Sequence, residues 1–448
     1  MPRKVTRREF IAASAGGVAA LTTARNLGLA QPSAAQRPNI LFILADDLGY
    51  GDLSCYGRPD YQTPVLDELA KHGTKFLSAY AAAPVCTPTR CAFVTGRYPQ
   101  RLEVGLHEPL TDRDRDKGLP PDHPTVASLL KANGYETALL GKWHLGWKPE
   151  FGPNRHGFDE FFGILSGAGD YFTHKSSVSG GSDLWENLTA VERVGYLTDL
   201  LSDRAAEFVS RRRAKPFYLS LHYTAPHAPW EGPGDAAMDH TSHGAGAMTA
   251  GGSLKIYGSM MKSMDAGIGR VLQSLKRARQ ERNTLVIFTS DNGGERYSHN
   301  WPFSFQKLDL WEGGIRVPAI VRWPGVIPTG RTTEQAVTTM DWTATILAVT
   351  GTKADPSYPL DGEDIMPVCK GARTLYDRQL FWRTRSQAAA RVGNWKYLQE
   401  SGKEHLFDLS VDLGEKVDLR ASHLETFNDL RTRFLAWNKE MLPNLAAS

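Results

Sequence analysis

Six short stretches of this 448-residue chain carry side chains suited to chemistry on an anion. Asp46-Asp47 and Asp291-Asn292 offer four oxygen donors, the set that hard divalent cations bind. Either pair alone also reads as an ordinary turn at a strand end. Cys86 and Arg90 stand about one helical turn apart, and a guanidinium there stays charged. Lys142 and His144 alternate along an extended segment, so both face the same side. His227 lies in Thr224-Ala225-Pro226-His227-Ala228-Pro229-Trp230, where flanking prolines stiffen the loop, and Lys307 comes five residues before Glu312. Cations and histidines around carboxylates can neutralise an anionic group, orient an attacking oxygen and move protons.

These residues need a scaffold that gathers distant positions. Pro38–Ala45 is a continuous apolar run closed by Asp46-Asp47, and its lack of alternation predicts a parallel strand buried on both faces. Leu219–Tyr223 and Thr284–Thr289 read the same way, and Ala138–Lys142 more weakly. Helical patterns lie between them at Thr63–His72, Thr125–Asn133, Tyr196–Arg212 and Leu254–Arg279. The alternation predicts an α/β fold, a mostly parallel central sheet flanked by helices. The polar residues follow the carboxyl ends of the strands, the edge where open α/β sheets bind ligands. After about residue 370 short strand-like pieces (Leu380–Arg383, Ala388–Val392, Trp395–Gln399, Glu404–Phe407) precede an amphipathic Leu424–Met441, predicting a smaller antiparallel sheet with a terminal helix. The expected organisation is a segment over 1–30, a catalytic domain over 38–370 and a C-terminal subdomain over 371–448. Residues 231–253, rich in Gly, Ala, His and Ser, are expected to form a long mobile loop near the site mouth.

The formal charge of +3 is set by the first thirty residues, where Arg3, Lys4, Arg7, Arg8 and Arg25 face only Glu9; without them the balance is −1. A nearly neutral remainder does not fit a nucleic-acid or membrane-surface binder. Thr6-Arg7-Arg8-Glu9-Phe10-Ile11 is a twin-arginine motif, and the weakly apolar run to Ala24 is too short for a membrane span. The expectation is a cleaved signal, with Gly28-Leu29-Ala30 or Ser33-Ala34-Ala35 at the cleavage position, and a periplasmic or secreted protein delivered by the twin-arginine translocase. Cys55, Cys86, Cys91 and Cys369 show no zinc spacing and are enough for two disulfides in an oxidising compartment.

Cys86-Thr87-Pro88-Thr89-Arg90, continuing to Tyr98-Pro99, closely resembles the signature of the type I sulfatases, in which the first Cys of C-x-P-x-R is oxidised to formylglycine (3-oxoalanine). Ala45-Asp46-Asp47, Gly141-Lys142-Trp143-His144, Pro226-His227, Ser290-Asp291-Asn292-Gly293-Gly294 and Trp311–Pro318 stand in the family's order. The resemblance implies a fold related to alkaline phosphatase. It implies one metal, usually calcium and sometimes magnesium, on Asp46, Asp47, Asp291, Asn292 and the modified residue 86. It assigns Arg90 to the hydrated aldehyde, Lys142 to the sulfate and the nucleophile, and His144 to the proton lost in sulfate release. His227 and Lys307 bind sulfate and protonate the leaving alcohol. One hydroxyl of the hydrated aldehyde attacks sulfur; the other then loses its proton and expels sulfate, a way out that serine lacks. A formylglycine-generating or sulfatase-maturating enzyme is an implied partner. The Glu312–Pro318 block reads as structural, its paired glycines allowing a tight turn before a strand.

The expected substrates are a sulfated carbohydrate and, as surrogates, aryl sulfates. Asp170, Tyr171, His174, Trp230, His299 and Trp301 are candidate wall residues, since aromatics with polar tips suit sugar rings. Two other readings remain open: a phosphoesterase or phosphonate hydrolase of the same superfamily, and a sulfated-glycan binder in which Cys86 stays a thiol.

Overall fold

The computed structural model describes residues 37–235 and 244–445. The expected signal lies outside the described residues, as do 236–243 of the expected loop, whose far side forms a short helix, Ala245–Met248.

The large sheet has eleven strands: β1 (Asn39–Ala45), β2 (Thr74–Tyr80), β3 (Glu136–Gly141), β4 (Glu160–Ile164), β5 (Leu184–Glu186), β6 (Thr189–Ala190), β7 (Phe217–His222), β8 (Thr284–Ser290), β9 (Arg316–Arg322), β10 (Arg331–Thr333) and β11 (Val337–Thr338). Their order is β10-β2-β9-β8-β1-β7-β3-β4-β5-β6, with β11 on β2. β1 lies at the centre, parallel to both β7 and β8, and every one of its residues is buried. Its side chains divide by parity. Leu41, Ile43 and Ala45 enter one apolar core, and Ile40, Phe42 and Leu44 enter another across the sheet. The first core is covered by Pro64–Lys71, Leu197–Ser210 and Leu254–Arg277, the second by Cys86–Thr95, Val126–Ala132 and Thr339–Thr350. An unbroken apolar strand is thus what a sheet with helices on both faces demands.

Register brings the strand ends to one rim. Leu44 pairs with His222, Ala45 with Ser290 and Gly141 with His222, so the residues that follow leave the sheet side by side. At that rim the buried helix Cys86–Thr95 begins, with Val85 as its extended cap and left-handed Gly96 as its stop.

The second sheet, β12 (Gln379–Arg383), β13 (Gln387–Val392), β14 (Trp395–Glu400) and β15 (Lys403–Asp408), is an antiparallel meander. One face packs Phe381, Ala388, Ala390, Tyr397 and Leu406 against Phe427, Leu430, Phe434 and Trp437 of the helix Leu424–Asn438. The other packs Leu380, Trp382, Ala389, Leu398 and Phe407 against Tyr80, Leu310, Trp311 and Ile315. At that second contact the buried Lys396 lies 3.0 Å from Glu312 and 2.7 Å from Glu415. Glu312–Ile315 makes one helical turn directly before β9, the structural role expected of it.

None of the four cysteines is paired with another, so the two disulfides that composition permits are not formed. Cys91 and Cys369 are absorbed as small apolar side chains in one core, while Cys55 packs on the core across the sheet. Among the described residues no helix is long and apolar enough to cross a membrane.

Candidate active site

Asp46 and Asp47 follow β1 and are fully buried. Asp46 Oδ2 accepts from Lys142 Nζ at 2.6 Å and lies 3.6 Å from Arg90 Nη2. Asp47 takes a left-handed backbone (φ 60°). Its Oδ1 accepts from Asn292 Nδ2 at 2.7 Å and its Oδ2 from Lys307 Nζ at 2.6 Å, with His227 Nε2 3.5 Å away. Asp291, after β8, accepts from Arg90 Nε and Nη2 on Oδ2 and from the Asp47 N–H on Oδ1. Arg90 Nη1 donates to the Lys142 carbonyl at 3.0 Å. Arg90 is therefore largely taken up by protein acceptors, so its first task is to balance Asp291 and Asp46 rather than to grip a nucleophile alone.

Lys142 leaves β3 through Gly141, whose φ is 115° and where a Cβ would meet the His222 carbonyl oxygen at 1.7 Å; only glycine fits. His144 is left-handed as well (φ 56°), an outlier of the kind that collects at functional sites. Its Nε2 donates to the Leu110 carbonyl at 3.0 Å, which leaves Nδ1 as a buried lone pair with no partner. Burial, with Lys142, keeps this ring well below the ordinary histidine pKa. His227 is arranged in the opposite sense, its Nδ1 on the Ala228 carbonyl and its Nε2 facing Asp47. Burial and then Lys307 push it down to about 3.

Cys86, the first residue of its helix, is 2% exposed. Burial raises its thiol pKa; Lys142 and Lys307 draw it down in part, and Asp46 and Asp291 push it up. The ten residues picked out from the sequence thus share one pocket. Burial works to raise Asp47, but Lys307 and His227 outweigh it and hold this carboxyl below the usual range. Burial and Asp291 push Asp46 up instead.

Two buried oxygens, Asp46 Oδ1 and Asn292 Oδ1, have no hydrogen-bond partner. Such atoms cost roughly 1–3 kcal/mol each when left unsatisfied. A cation between the strand ends would satisfy both, so the donor set fits a metal. Asp46, Asp47 and His227 also offer ligand atoms within 4.8 Å of one another, which adds a ring nitrogen to the expected oxygens.

The wall candidates separate. Tyr171 is buried beneath the site, donating its hydroxyl to the His227 carbonyl at 3.0 Å. His174 is spent on Gly195, Asp170 turns its carboxylate to the Phe172 and Thr173 N–H groups, and Trp230 packs on Tyr297. His299 is half-buried and Trp301 is exposed. Two residues were missed. His222 Nδ1 lies 3.2 Å from the Lys142 carbonyl and 3.4 Å from Arg90 Nη1, its Nε2 pairs with Ser220, and Tyr218 donates to Ser220. The polar alternation 218, 220, 222 within an otherwise apolar strand was the available signal. Glu295 stands directly after the Ser290–Gly294 block, half-buried and within electrostatic reach of Asp47 and Lys307. Burial and Asp47 push it up to about 7.

Comparison with known proteins identifies the family. The sulfatase family model matches residues 38–352, and one for the C-terminal region of N-sulphoglucosamine sulphohydrolase matches 298–419. Steryl-sulfatase of Mus musculus is 35% identical, covering 83% of this chain and 70% of its own. N-acetylgalactosamine-6-sulfatase of Canis lupus familiaris is 34% identical, covering 86% and 76%. The crystal structure of Ps i-CgsB with k-i-k-neocarrahexaose superposes with a TM-score of 0.82 at 34% identity, covering 90% of this chain and 93% of that one. The family model, the relatives and the fold show that the chain belongs to the sulfatase family, hydrolases of sulfuric esters.

Proposed function

We propose that the chain releases inorganic sulfate from sulfated carbohydrates, and from aryl sulfates as surrogates, with residue 86 acting as formylglycine. One observation carries this. The Cys86 side chain begins a helix inside a pocket of cations, yet burial holds its thiol above the ordinary pKa. A buried, protonated thiol is a poor nucleophile. The same position filled by a hydrated aldehyde offers one hydroxyl to sulfur and a second whose deprotonation expels sulfate.

The surrounding residues divide the work. Lys142 and Lys307, each on a carboxylate, are placed to hold the sulfate oxygens, and Arg90 neutralises Asp291 and Asp46 behind them. His144 Nδ1 supplies the lone pair that takes up a proton as sulfate departs. Lys307 Nζ, kept charged by Asp47 and standing beside His227 Nε2, is placed to give a proton to the leaving alcohol. Asp46, Asp47, Asp291 and Asn292 would hold one divalent ion, calcium by their oxygen chemistry with magnesium the alternative. Such an ion would polarise the sulfate.

Support for a carbohydrate substrate comes from relatives named for an amino-sugar sulfate and from the neocarrahexaose complex. Oxidation of Cys86 requires a maturating enzyme. The twin-arginine motif supports export to the periplasm or beyond.

Peptide mass spectrometry tests the reading, since formylglycine is about 18 Da lighter than cysteine. Active protein carrying only unmodified Cys86 overturns it. Cys86→Ala should retain the fold by circular dichroism and lose at least about a thousandfold in sulfate release.

A further inference from the structure

Lys307, placed to give a proton to the leaving alcohol, is also the most exposed cation of the pocket. Its side chain is 11% exposed, against 0% for Arg90 and Lys142. The departing alcohol and whatever it is attached to therefore lie against the turn that carries Lys307.

Two large apolar side chains flank Lys307 and stand in water, Phe305 at 55% and Leu308 at 56% exposure. Both take a left-handed backbone, at φ 61° and 77°, a region that bulky side chains rarely enter. An ordinary solvated turn puts Gly, Asn or Asp at such positions. Strain of this kind collects at ligand sites and persists only where the surroundings impose it. Here they do. Leu308 N–H donates to the carbonyl of Pro84, two residues before Cys86, at 2.8 Å, and Lys307 N–H to the Gly294 carbonyl at 3.2 Å. Asn300 Nδ2 donates to the Phe305 carbonyl at 3.3 Å. A Cβ on Gly313 would sit 2.2 Å from the Phe305 carbonyl oxygen and one on Gly314 2.4 Å from that of Gln306, so the turn closes only on this glycine pair. Upstream, the fully buried Asp52 fixes the loop by accepting from Ser298 Oγ and the His299 N–H.

The Phe305 ring is backed by Trp311, with centroids 4.6 Å apart and planes inclined by 33°. Trp311 is itself buried, donates Nε1 to Glu400 at 2.9 Å and packs on Phe407 of the second sheet at 5.4 Å. One side of Phe305 is thus held and the other is open. Between Phe305 and Leu308 the exposed Gln306 adds an amide. A sugar ring presents the complementary surface, an apolar C–H face with a rim of hydroxyls. A protein partner covers roughly 800 Å² on each side, far more than three side chains offer.

Position decides which sugar. Two residues of chain span at most about 7 Å, so Phe305 stays close to Lys307. Lys307 carries its charge inward to the buried Asp47, whereas Phe305 stays in solvent. Phe305 therefore stands outside the sulfate position, where the sugar next to the sulfated one would lie.

We infer that Phe305, backed by Trp311 and flanked by Leu308, is a stacking platform for a second sugar ring. This rests on the carbohydrate reading and narrows it to sulfated oligosaccharides.

The test measures kcat and KM of the mature enzyme, Phe305→Ala and Phe305→Trp on three substrates. These are a sulfated monosaccharide, the better of the two disaccharides that carry it at either end, and 4-nitrophenyl sulfate. The wild type should favour the disaccharide over the monosaccharide by about tenfold in kcat/KM. Phe305→Ala should lose most of that preference through KM, with smaller losses on the other two substrates, and Phe305→Trp should keep it. A wild type without the preference, equal losses on all three substrates, or a Trp variant as poor as the Ala variant overturns the platform alone. Turnover of 4-nitrophenyl sulfate with neither sugar cleaved overturns the carbohydrate reading with it.

Discussion

Asp291 uses one oxygen to neutralise Arg90 and the other to fix the Asp47 N–H, so it anchors a buried cation while facing the expected metal. Asp291→Ala should lose bound calcium and activity together, with affinity falling on the order of a hundredfold by calorimetric titration. Undiminished calcium binding would remove Asp291 from the ligand set. Residues of this kind were legible because their chemistry coincides with a strong local signal, a polar pair closing an apolar run. Glu295 and His222 escaped for opposite reasons. Glu295 follows two glycines on a loop whose path depends on Asp52, more than two hundred residues earlier. His222 lies inside a strand read as simply apolar. Tyr171 was recognised and misplaced: an aromatic with a polar tip serves a pocket as well from beneath as from its wall.

Elements with long apolar runs were readable to within a few residues. The central strands bury both faces, and the helices between them carry one apolar stripe. β5, β6, β10 and β11, at two or three residues each, have no room for a period and went unseen. Short turns still carry energetic weight. In the turn Pro153–His156, His156 stacks on Trp143 with ring centroids 5.4 Å apart, and burial pushes it from 6.5 down to about 4. Below pH 6.5 the unfolded chain takes up a proton that the folded chain refuses until about pH 4. Its stabilising contribution is therefore present above 6.5 and lost as the pH falls through 4, on the order of 3 kcal/mol. Melting temperatures from pH 7 to 4 should fall more steeply for the wild type than for His156→Phe; matching slopes would contradict this.

For the molecule as a whole, the composition shift near residue 370 correctly announced a second sheet, but not the charged contact beneath it. Lys396, with no exposed surface, sits between Glu312 and Glu415, and burial raises Glu415 to about 7. Lys396→Met would strand these carboxylates in the interior, at about 3–5 kcal/mol. Calorimetry should show a fall of several degrees in Tm, and a shift under one degree would deny the pair any part in docking the sheet. Burial has another outcome at residue 86, whose whole helix is sealed inside the protein. On the proposed chemistry, whatever oxidises that cysteine to the aldehyde must meet the chain before it closes. Conversion and folding then race each other, and rapid synthesis leaves a well-folded but permanently dormant fraction that no later treatment of the native protein can awaken.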